Sequence, residues 1–279
     1  MNPARFIGIL LVILSVAGVA AENPLRIELV AESTGIQPGR PFLVGLRLQH
    51  PAGYHTYWKF PGIVGVPTGI RWNLPRGWKA DPIQWPTPER VFMFQIKAQG
   101  FRGERLLPVR ITPPGNLAPG RTVTLKGNAT WMCCGRECHP GFGELSIALP
   151  VTADAPVPDR RWARLFAESL ADVAQPSGDW TLKAVRNRGE ITLRMTPVSD
   201  GARQQLKRIR EVTFFTEDGW IDPNKPESLV TTAGEIILTQ TISEHAPASD
   251  RIAGILHTPQ AWLPDGKPKS IRIAVPLRR

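Results

Sequence analysis

Apolar and polar residues alternate with a period of two through most of the chain from Leu25 to about Val151. The alternation is clearest in the segments FLVGLRL, GIRWNL, LLPVRI, TVTLKGNATWMC and ELSIALPV. Successive side chains of a β-strand point to opposite faces of the sheet, so these segments predict strands that bury one face. Proline and glycine turns separate them, which predicts an antiparallel β-sandwich over residues 22–153.

Residues 154–178 have a different pattern and are interpreted as a linker with a short helix. Asp159 is the expected N-cap of this helix. Apolar residues then recur at helical spacing, which predicts a stripe that packs on a neighbouring domain. The stripe consists of Trp162, Leu165, Phe166, Leu170 and Val173.

Residues 179–279 return to alternation with a period of two, in segments such as EITLRM, EIILTQTI and SIRIAVPL. They predict a second antiparallel β-sandwich, with a short helix over Asp200–Arg210. The predicted fold class is therefore all-β, with two sandwiches joined by a short helical linker. This second part has no cysteine, and His245 and His257 are interpreted as ordinary surface or packing residues.

The N-terminus predicts the compartment. A positive residue, Arg5, precedes the apolar run Phe6–Val19, and Val19 and Ala21 are placed as in a small-x-small cleavage site. This order is typical of a secretory signal peptide, here residues 1–21. The mature protein is therefore expected to be soluble in the periplasm, where disulfides can form.

The net charge by itself excludes few classes of function. The formal net charge is +10, but no dense tract of lysine and arginine accompanies it. A generally basic surface accounts for this charge, and an exported protein is not expected to bind nucleic acid. No phosphate-binding loop, Ser-His-Asp arrangement or H-E-x-x-H motif supports a nucleotide-binding or hydrolase function.

All three cysteines of the chain, Cys133, Cys134 and Cys138, lie within the segment ATWMCCGRECHPG. Strand alternation directs Cys133 into the core and Cys134 outward. A tight hairpin over the three intervening residues would bring Cys134 and Cys138 within disulfide distance. The sequence His139-Pro140-Gly141 is expected to prevent a long regular second strand.

Four segments of the first domain together resemble the N-terminal periplasmic domain of the DsbD-like thiol:disulfide interchange reductases, in the branch associated with suppression of copper sensitivity. They are HTYWKFPGIVGVPTGIRWNLP, PIQWPTPER, GERLLPVRITPP and ATWMCCGRECHPG. The resemblance implies immunoglobulin-like sandwiches and a redox-active pair at Cys134 and Cys138. It implies thioredoxin-like periplasmic proteins as partners and no cofactor, which leaves open whether the chain acts as a protein-disulfide reductase or as an electron-transfer component.

The same resemblance suggests residues that surround or contact the thiols. His55, Tyr57 and Trp58 match the segment that lines the cysteines, and Phe94 matches a loop that caps them. The family's reductases also have a transmembrane conduit and a thioredoxin-like domain, and neither follows in this sequence. A separate membrane protein is therefore expected to supply electrons.

Two alternatives compete with redox exchange. Soft or borderline ligands select Cu(I), and five of them lie close together in the cysteine segment. A Cu(I)-binding protein of copper tolerance could use Met132, Cys133, Cys134, Cys138 and His139. In the other alternative, the chain is a β-sandwich scaffold with a static disulfide.

Overall fold

The computed structural model describes residues 23–278, so the predicted signal peptide lies outside the described residues. The strands of the first domain are β1 (Arg26–Ala31), β2 (Phe42–Gln49), β3 (Thr56–Tyr57), β4 (Gly69–Asn73), β5 (Lys79–Ala80), β6 (Glu89–Met93), β7 (Ile96–Phe101), β8 (Glu104–Thr112), β9 (Thr122–Cys134) and β10 (Cys138–Pro150). After them come helix α1 (Ala163–Ala171), strands β11 (Trp180–Asn187) and β12 (Glu190–Pro197), and helix α2 (Asp200–Leu206). The remaining strands are β13 (Thr213–Thr216), β14 (Glu227–Thr231), β15 (Ile236–Thr241), β16 (Arg251–His257) and β17 (Ser270–Arg278).

The first domain contains three sheets, with strand orders β1-β2-β8-β5, β10-β9-β4 and β3-β7-β6. The first two sheets enclose a common apolar core. Leu46 and Leu107 reach it from one sheet, while Leu125 and Ala129 reach it from the other. The strand alternation in the sequence therefore predicted the buried face correctly.

Strands β9 and β10 form a long antiparallel hairpin, paired from Cys134↔Cys138 to Thr122↔Pro150. The expectation that His139-Pro140-Gly141 would interrupt β10 is wrong. Among the strands that the structure describes, β10 lies at the edge of its sheet and pairs with β9. Pro140 is tolerated because an edge strand has positions whose N–H would point away from the neighbouring strand.

The linker helix begins later than predicted. Its N-cap is Trp162, without a side-chain cap. The Asp159 carboxylate instead accepts hydrogen bonds from the backbone N–H and the guanidinium of Arg161. The predicted stripe does pack on the first domain, because Phe166 is buried against Val30, Leu43 and Leu106.

The second domain has seven strands in the order β13-β16-β17-β11-β12-β15-β14, wrapped around its own core. The pairs are antiparallel except for a short parallel contact between β11 and β17. Helix α2 ends at Leu206, earlier than predicted, and Ser199 caps it by accepting a hydrogen bond from Ala202 N–H. The structure confirms the all-β fold class. In the described part of the chain, no helix has the length and apolar character needed to span a membrane.

Candidate redox site

A disulfide joins Cys134 and Cys138 across the end of the β9–β10 hairpin, with their Cα atoms 4.1 Å apart. The two residues are directly opposite in the register. The backbone N–H and C=O of Cys134 bond to His55, so they point away from β10. Cys134 and Cys138 therefore form a non-hydrogen-bonded pair, the arrangement in which opposite side chains lie closest. The local strand geometry explains why these two cysteines meet.

His55 lies on the other side of Cys134. The His55 N–H donates to the Cys134 carbonyl over 2.9 Å, and the Cys134 N–H donates to the His55 carbonyl over 2.9 Å. These reciprocal bonds make His55 and Cys134 a directly opposed pair. Opposed residues project to the same face of a sheet, so His55, Cys134 and Cys138 form a row on one face.

Cys133 projects to the opposite face and is a buried member of the main core. It is the free cysteine of the chain. Burial raises the pKa of its thiol to about 12. The thiol is therefore protonated at neutral pH, and a protonated thiol is a poor nucleophile.

Cys134 is on the predicted outer face but is not exposed. That face of β9 is exposed from Thr122 to Thr130 and then becomes covered at Met132 and Cys134. Cys134 has no exposed surface and packs with Tyr57, Val91, Ala98 and Val64. We call the loop 59–68 together with the β6–β7 hairpin the cover, because these segments supply the last three of those residues.

Gly65 allows the loop of the cover to approach closely. A Cβ atom at this position would lie 2.3 Å from the Tyr57 ring, and the backbone has φ +92°. A residue with a side chain would be strained in this backbone conformation. The loop therefore lies directly against Tyr57, which in turn contacts the Cys134 cluster.

The two bonded cysteines differ in accessibility. Cys138 is exposed at the start of the edge strand β10, whereas Cys134 is fully buried under the cover. Of the two residues of the disulfide, Cys138 is therefore the one that solvent reaches without movement of the cover.

His55 and Tyr57 bring polar atoms to the buried side of the site. Within the described residues, His55 Nε2 and the Tyr57 hydroxyl are buried without a hydrogen-bond partner. Burial lowers the pKa of His55 to about 4, and Arg102 and His50 add to this shift. Burial raises the pKa of Tyr57 to about 12. Both side chains are therefore neutral near pH 7, and their rings meet edge to face at 5.1 Å.

Two residues suggested by the resemblance occupy other positions. Trp58 is fully buried in the main core with Cys133, because alternation along the strand turns it away from Tyr57. The structure therefore places Trp58 on the core side of the sheet, away from the Cys134–Cys138 pair. Phe94 lies at the turn between β6 and β7 with φ 54°, and its side chain is 75% exposed. Its ring therefore extends into solvent from the end of the cover.

Tyr54 is a site residue that the sequence analysis missed. Its ring lies against the hairpin turn, where a Cβ atom on Gly135 would be 3.0 Å away. It also packs on the His139 ring at a centroid distance of 5.9 Å. Its position next to His55 in the sequence was the available signal.

The candidate copper ligands are divided between the two faces of the hairpin. Cys133 and His139 are directly opposite and share one face, while Met132 and Cys134 lie on the other with Cys138. In the part of the chain that the structure describes, no group of three or more His, Cys, Asp or Glu residues could hold a metal ion. The five residues cannot converge on one ion.

Comparisons with known proteins agree with this site. Residues 28–150 match the family model described as the N-terminal domain of the thiol:disulfide interchange protein DsbD. The N-terminal periplasmic domain of ScsB from Proteus mirabilis superposes with a TM-score of 0.64 at 15% sequence identity, covering 92% of this chain and 95% of that chain. At this identity the likeness shows the fold.

Two other solved structures have low TM-scores. A protein of unknown function from Porphyromonas gingivalis W83 has 12% identity and a TM-score of 0.22, covering 92% of this chain and all (100%) of that one. The sporulation control protein Spo0M from Bacillus subtilis has 10% identity and a TM-score of 0.22, covering 91% of each chain. Neither likeness bears on the fold of this chain. A search of curated protein sequences gives no match.

The match over residues 28–150 includes both bonded cysteines, His55, Tyr57 and the whole cover. The ScsB match extends the same architecture across the second sandwich. Residues 28–150 of this chain therefore match the DsbD N-terminal family of thiol:disulfide interchange domains.

Proposed function

We propose that this protein exchanges electrons with thioredoxin-like partners through the Cys134–Cys138 pair, with Cys138 as the partner-facing sulfur. The main support is the difference in accessibility between an exposed Cys138 and a buried Cys134. A short-loop disulfide contributes little chain entropy to stability, which makes a purely structural role a poor explanation.

The exchange has two steps. In the reduced protein, the Cys138 thiolate attacks a sulfur of the partner disulfide, and a Cys138–partner mixed disulfide forms while the partner's other sulfur leaves as a thiolate. Cys134 then loses its proton and attacks the Cys138 sulfur, which forms the Cys134–Cys138 disulfide and releases the second partner thiolate. The pair loses two electrons and the partner gains two. The same steps in reverse load the pair from a donor dithiol.

His55 is the proposed proton acceptor for the second step. Neutral imidazole has one nitrogen that accepts a hydrogen bond. The ring lies directly across from Cys134, and its Nε2 has no partner among the described residues. When the disulfide is open, the Cys134 thiol has this acceptor beside it.

Exposed apolar residues near the pair provide the proposed docking surface. Phe142 lies on β10, on the same face as Cys138, and is 85% exposed. Phe94 projects from the turn of the cover, and Ile63 and Val66 lie in its loop. An apolar patch of this kind around an accessible sulfur suits a protein partner.

The periplasm is the proposed compartment. The N-terminal apolar run predicts export, and the related ScsB domain is described as periplasmic. An oxidising compartment also permits the disulfide.

Trapping tests the proposal. Reduced Cys134→Ser protein keeps the exposed Cys138 and should form a reductant-sensitive adduct with an oxidised thioredoxin-like protein on a non-reducing gel. Cys138→Ser keeps only the buried Cys134 and Cys133 and should trap much less. Equal trapping by the two variants would contradict the assignment of Cys138, and no adduct from either would favour the scaffold.

Cu(I) binding is a second candidate function, with a smaller set of ligands than the sequence suggested. Met132, Cys134 and Cys138 share one face, and Met132 packs with Cys134. These three sulfurs, without Cys133 and His139, form the set that could bind Cu(I) after reduction. Titration of the reduced protein with Cu(I) tests it: binding that weakens in Met132→Leu but not in Cys133→Val supports this set, and binding that weakens in Cys133→Val contradicts it.

A further inference from the structure

The second domain contacts the outer side of the cover. On the β6–β7 hairpin, the register pair Val91↔Ala98 packs on Cys134. The adjacent register pair is Arg90↔Gln99. Neighbouring pairs project to opposite faces of a hairpin. One face of this hairpin therefore buries Cys134, and the other is available to the second domain.

Arg90 and Gln99 both contact the second domain through that second face. Arg90 forms an ion pair with Glu227 of β14 at 2.5 Å. The other carboxylate oxygen of Glu227 accepts from Gln240 Nε2 over 2.8 Å, which fixes its position. Gln99 is buried, and its Nε2 donates to the Thr216 carbonyl over 3.0 Å.

The second domain also forms a hydrogen bond with the backbone of the β6–β7 hairpin. The Lys97 N–H donates to Asn224 Oδ1 over 2.7 Å. The Asn224 side chain is oriented by Asp222, whose Oδ1 accepts from both the backbone N–H and the Nδ2 of Asn224. The contact thus comes from a preformed turn of the second domain.

The loop of the cover is attached in the same way. Lys59 forms an ion pair with Glu217 at 2.9 Å. The Phe60 ring lies against Gly219, where a Cβ atom would be 2.8 Å from the ring. Gln99 Nε2 also donates to the Phe60 carbonyl, so one buried amide connects the loop, the hairpin and the second domain.

We propose that the second domain is a brace that holds the cover closed over Cys134 and so sets the access of reagents and partners to that sulfur. Every segment of the cover that supplies a residue to the Cys134 cluster also has a contact with the second domain. Asn224 and Glu227 are its positioning residues, since they contact the cover and not the cysteines. The consequence for electron exchange rests on the proposed function, but the closure itself does not.

The brace is tested by the reactivity of Cys134 alone. In a Cys133→Val/Cys138→Ser background, Cys134 is the single thiol, and its alkylation by iodoacetamide can be followed by mass spectrometry. Adding Asn224→Ala and Glu227→Gln should speed alkylation about tenfold, which corresponds to about 1.4 kcal/mol of lost closure. Arg90→Gln removes the same ion pair from the other side and should also accelerate it.

Glu235→Gln is the matched control, because Glu235 pairs with Arg194 inside the second domain. It should leave the alkylation rate within about twofold of the background, an ordinary outcome for a surface pair. Unchanged alkylation in the Asn224/Glu227 and Arg90 variants would overturn the brace, and so would an equal rise in Glu235→Gln.

The two proposals fail separately. If Cys134→Ser forms the expected adduct while alkylation of Cys134 is unaffected by the brace variants, only the brace is wrong. If alkylation accelerates as expected but neither serine variant forms an adduct, the brace stands and the exchange function is wrong.

Discussion

His55 and Cys134 hold each other by two backbone hydrogen bonds, each 2.9 Å long. These bonds do not involve the sulfur atoms, so reduction of the disulfide leaves them intact. Cys134 therefore stays beside His55, and Cys138, paired only with β9 at the sheet edge, stays opposite Cys134. The fold keeps the reduced pair ready for intramolecular attack.

His55→Phe should slow the attack of Cys134 on a mixed disulfide. The imidazole acceptor is lost, and a positioned acid–base group typically contributes about a hundredfold to a proton transfer. We expect a loss of roughly tenfold or more. His55→Gln keeps an acceptor oxygen and should lose less.

An aromatic disulfide probe separates the two steps. Reaction of the reduced Cys133→Val protein with 5,5′-dithiobis(2-nitrobenzoate) should release one coloured thiolate when Cys138 attacks and a second when Cys134 resolves the adduct. His55→Phe should slow only the second release. Equal slowing of both releases would show that His55 acts through general packing.

Acid should destabilise the fold partly through His55. Its pKa is about 4 in the folded protein, below the ordinary value of 6.5, so the unfolded chain binds more protons between these values. The stability that depends on neutral His55 is complete above pH 6.5 and is lost as the pH falls towards 4. This loss has a slope of at most about 1.4 kcal/mol per pH unit.

Urea unfolding at pH 7, 5.5 and 4.5 measures this effect. The free energy of unfolding should fall less steeply with acid in His55→Gln than in the wild type. Burial also lowers the pKa of His50 and His257. Their burial is common to both proteins, so the part of their contribution that comes from burial cancels in the difference. Parallel pH profiles of the two proteins would contradict the assigned pKa.

Cys133→Val should behave like the wild type. The site is a fully buried part of the core, and a similar-sized apolar side chain is expected to change stability by less than about 1.5 kcal/mol. Cys133→Ser places a hydroxyl there and should cost about 1–3 kcal/mol. Denaturant unfolding compares the two, and loss of the second thiolate release in Cys133→Val would show that Cys133 takes part in exchange.

The sequence was sufficient for the hairpin and for the division of the cysteines between two faces. Both follow from strand alternation and from a three-residue spacing, which are local properties of residues 122–138. Alternation also indicates that Trp58 and Tyr57 face opposite ways, which separates Trp58 from the side chains that line the pair.

The burial of Cys134 could not be predicted in this way. It depends on Val64, Val91 and Ala98, which lie more than thirty residues earlier in the chain and arrive through tertiary packing. The second domain holds these segments through single side chains such as Asn224, which have no sequence pattern of their own. The absence of cysteine in that domain suggested no part in the chemistry, whereas its contacts connect it to the site.

Phe142→Ser should slow exchange with a protein partner but not with a small probe. Phe142 lies on the face of Cys138 and is 85% exposed, so its removal costs the fold little and takes apolar area from the proposed docking surface. Aromatic residues at the centre of an interface typically contribute about 1–2 kcal/mol or more, so the second-order rate with a reduced thioredoxin-like protein should fall about five- to thirtyfold.

Release of the first coloured thiolate from 5,5′-dithiobis(2-nitrobenzoate) should be unchanged, because that small molecule needs only the exposed sulfur. Val157→Ser is the matched control, since Val157 is 64% exposed in the linker, outside β10 and the cover. Equal effects of the two substitutions on the partner rate, or no effect of either, would place the docking surface elsewhere.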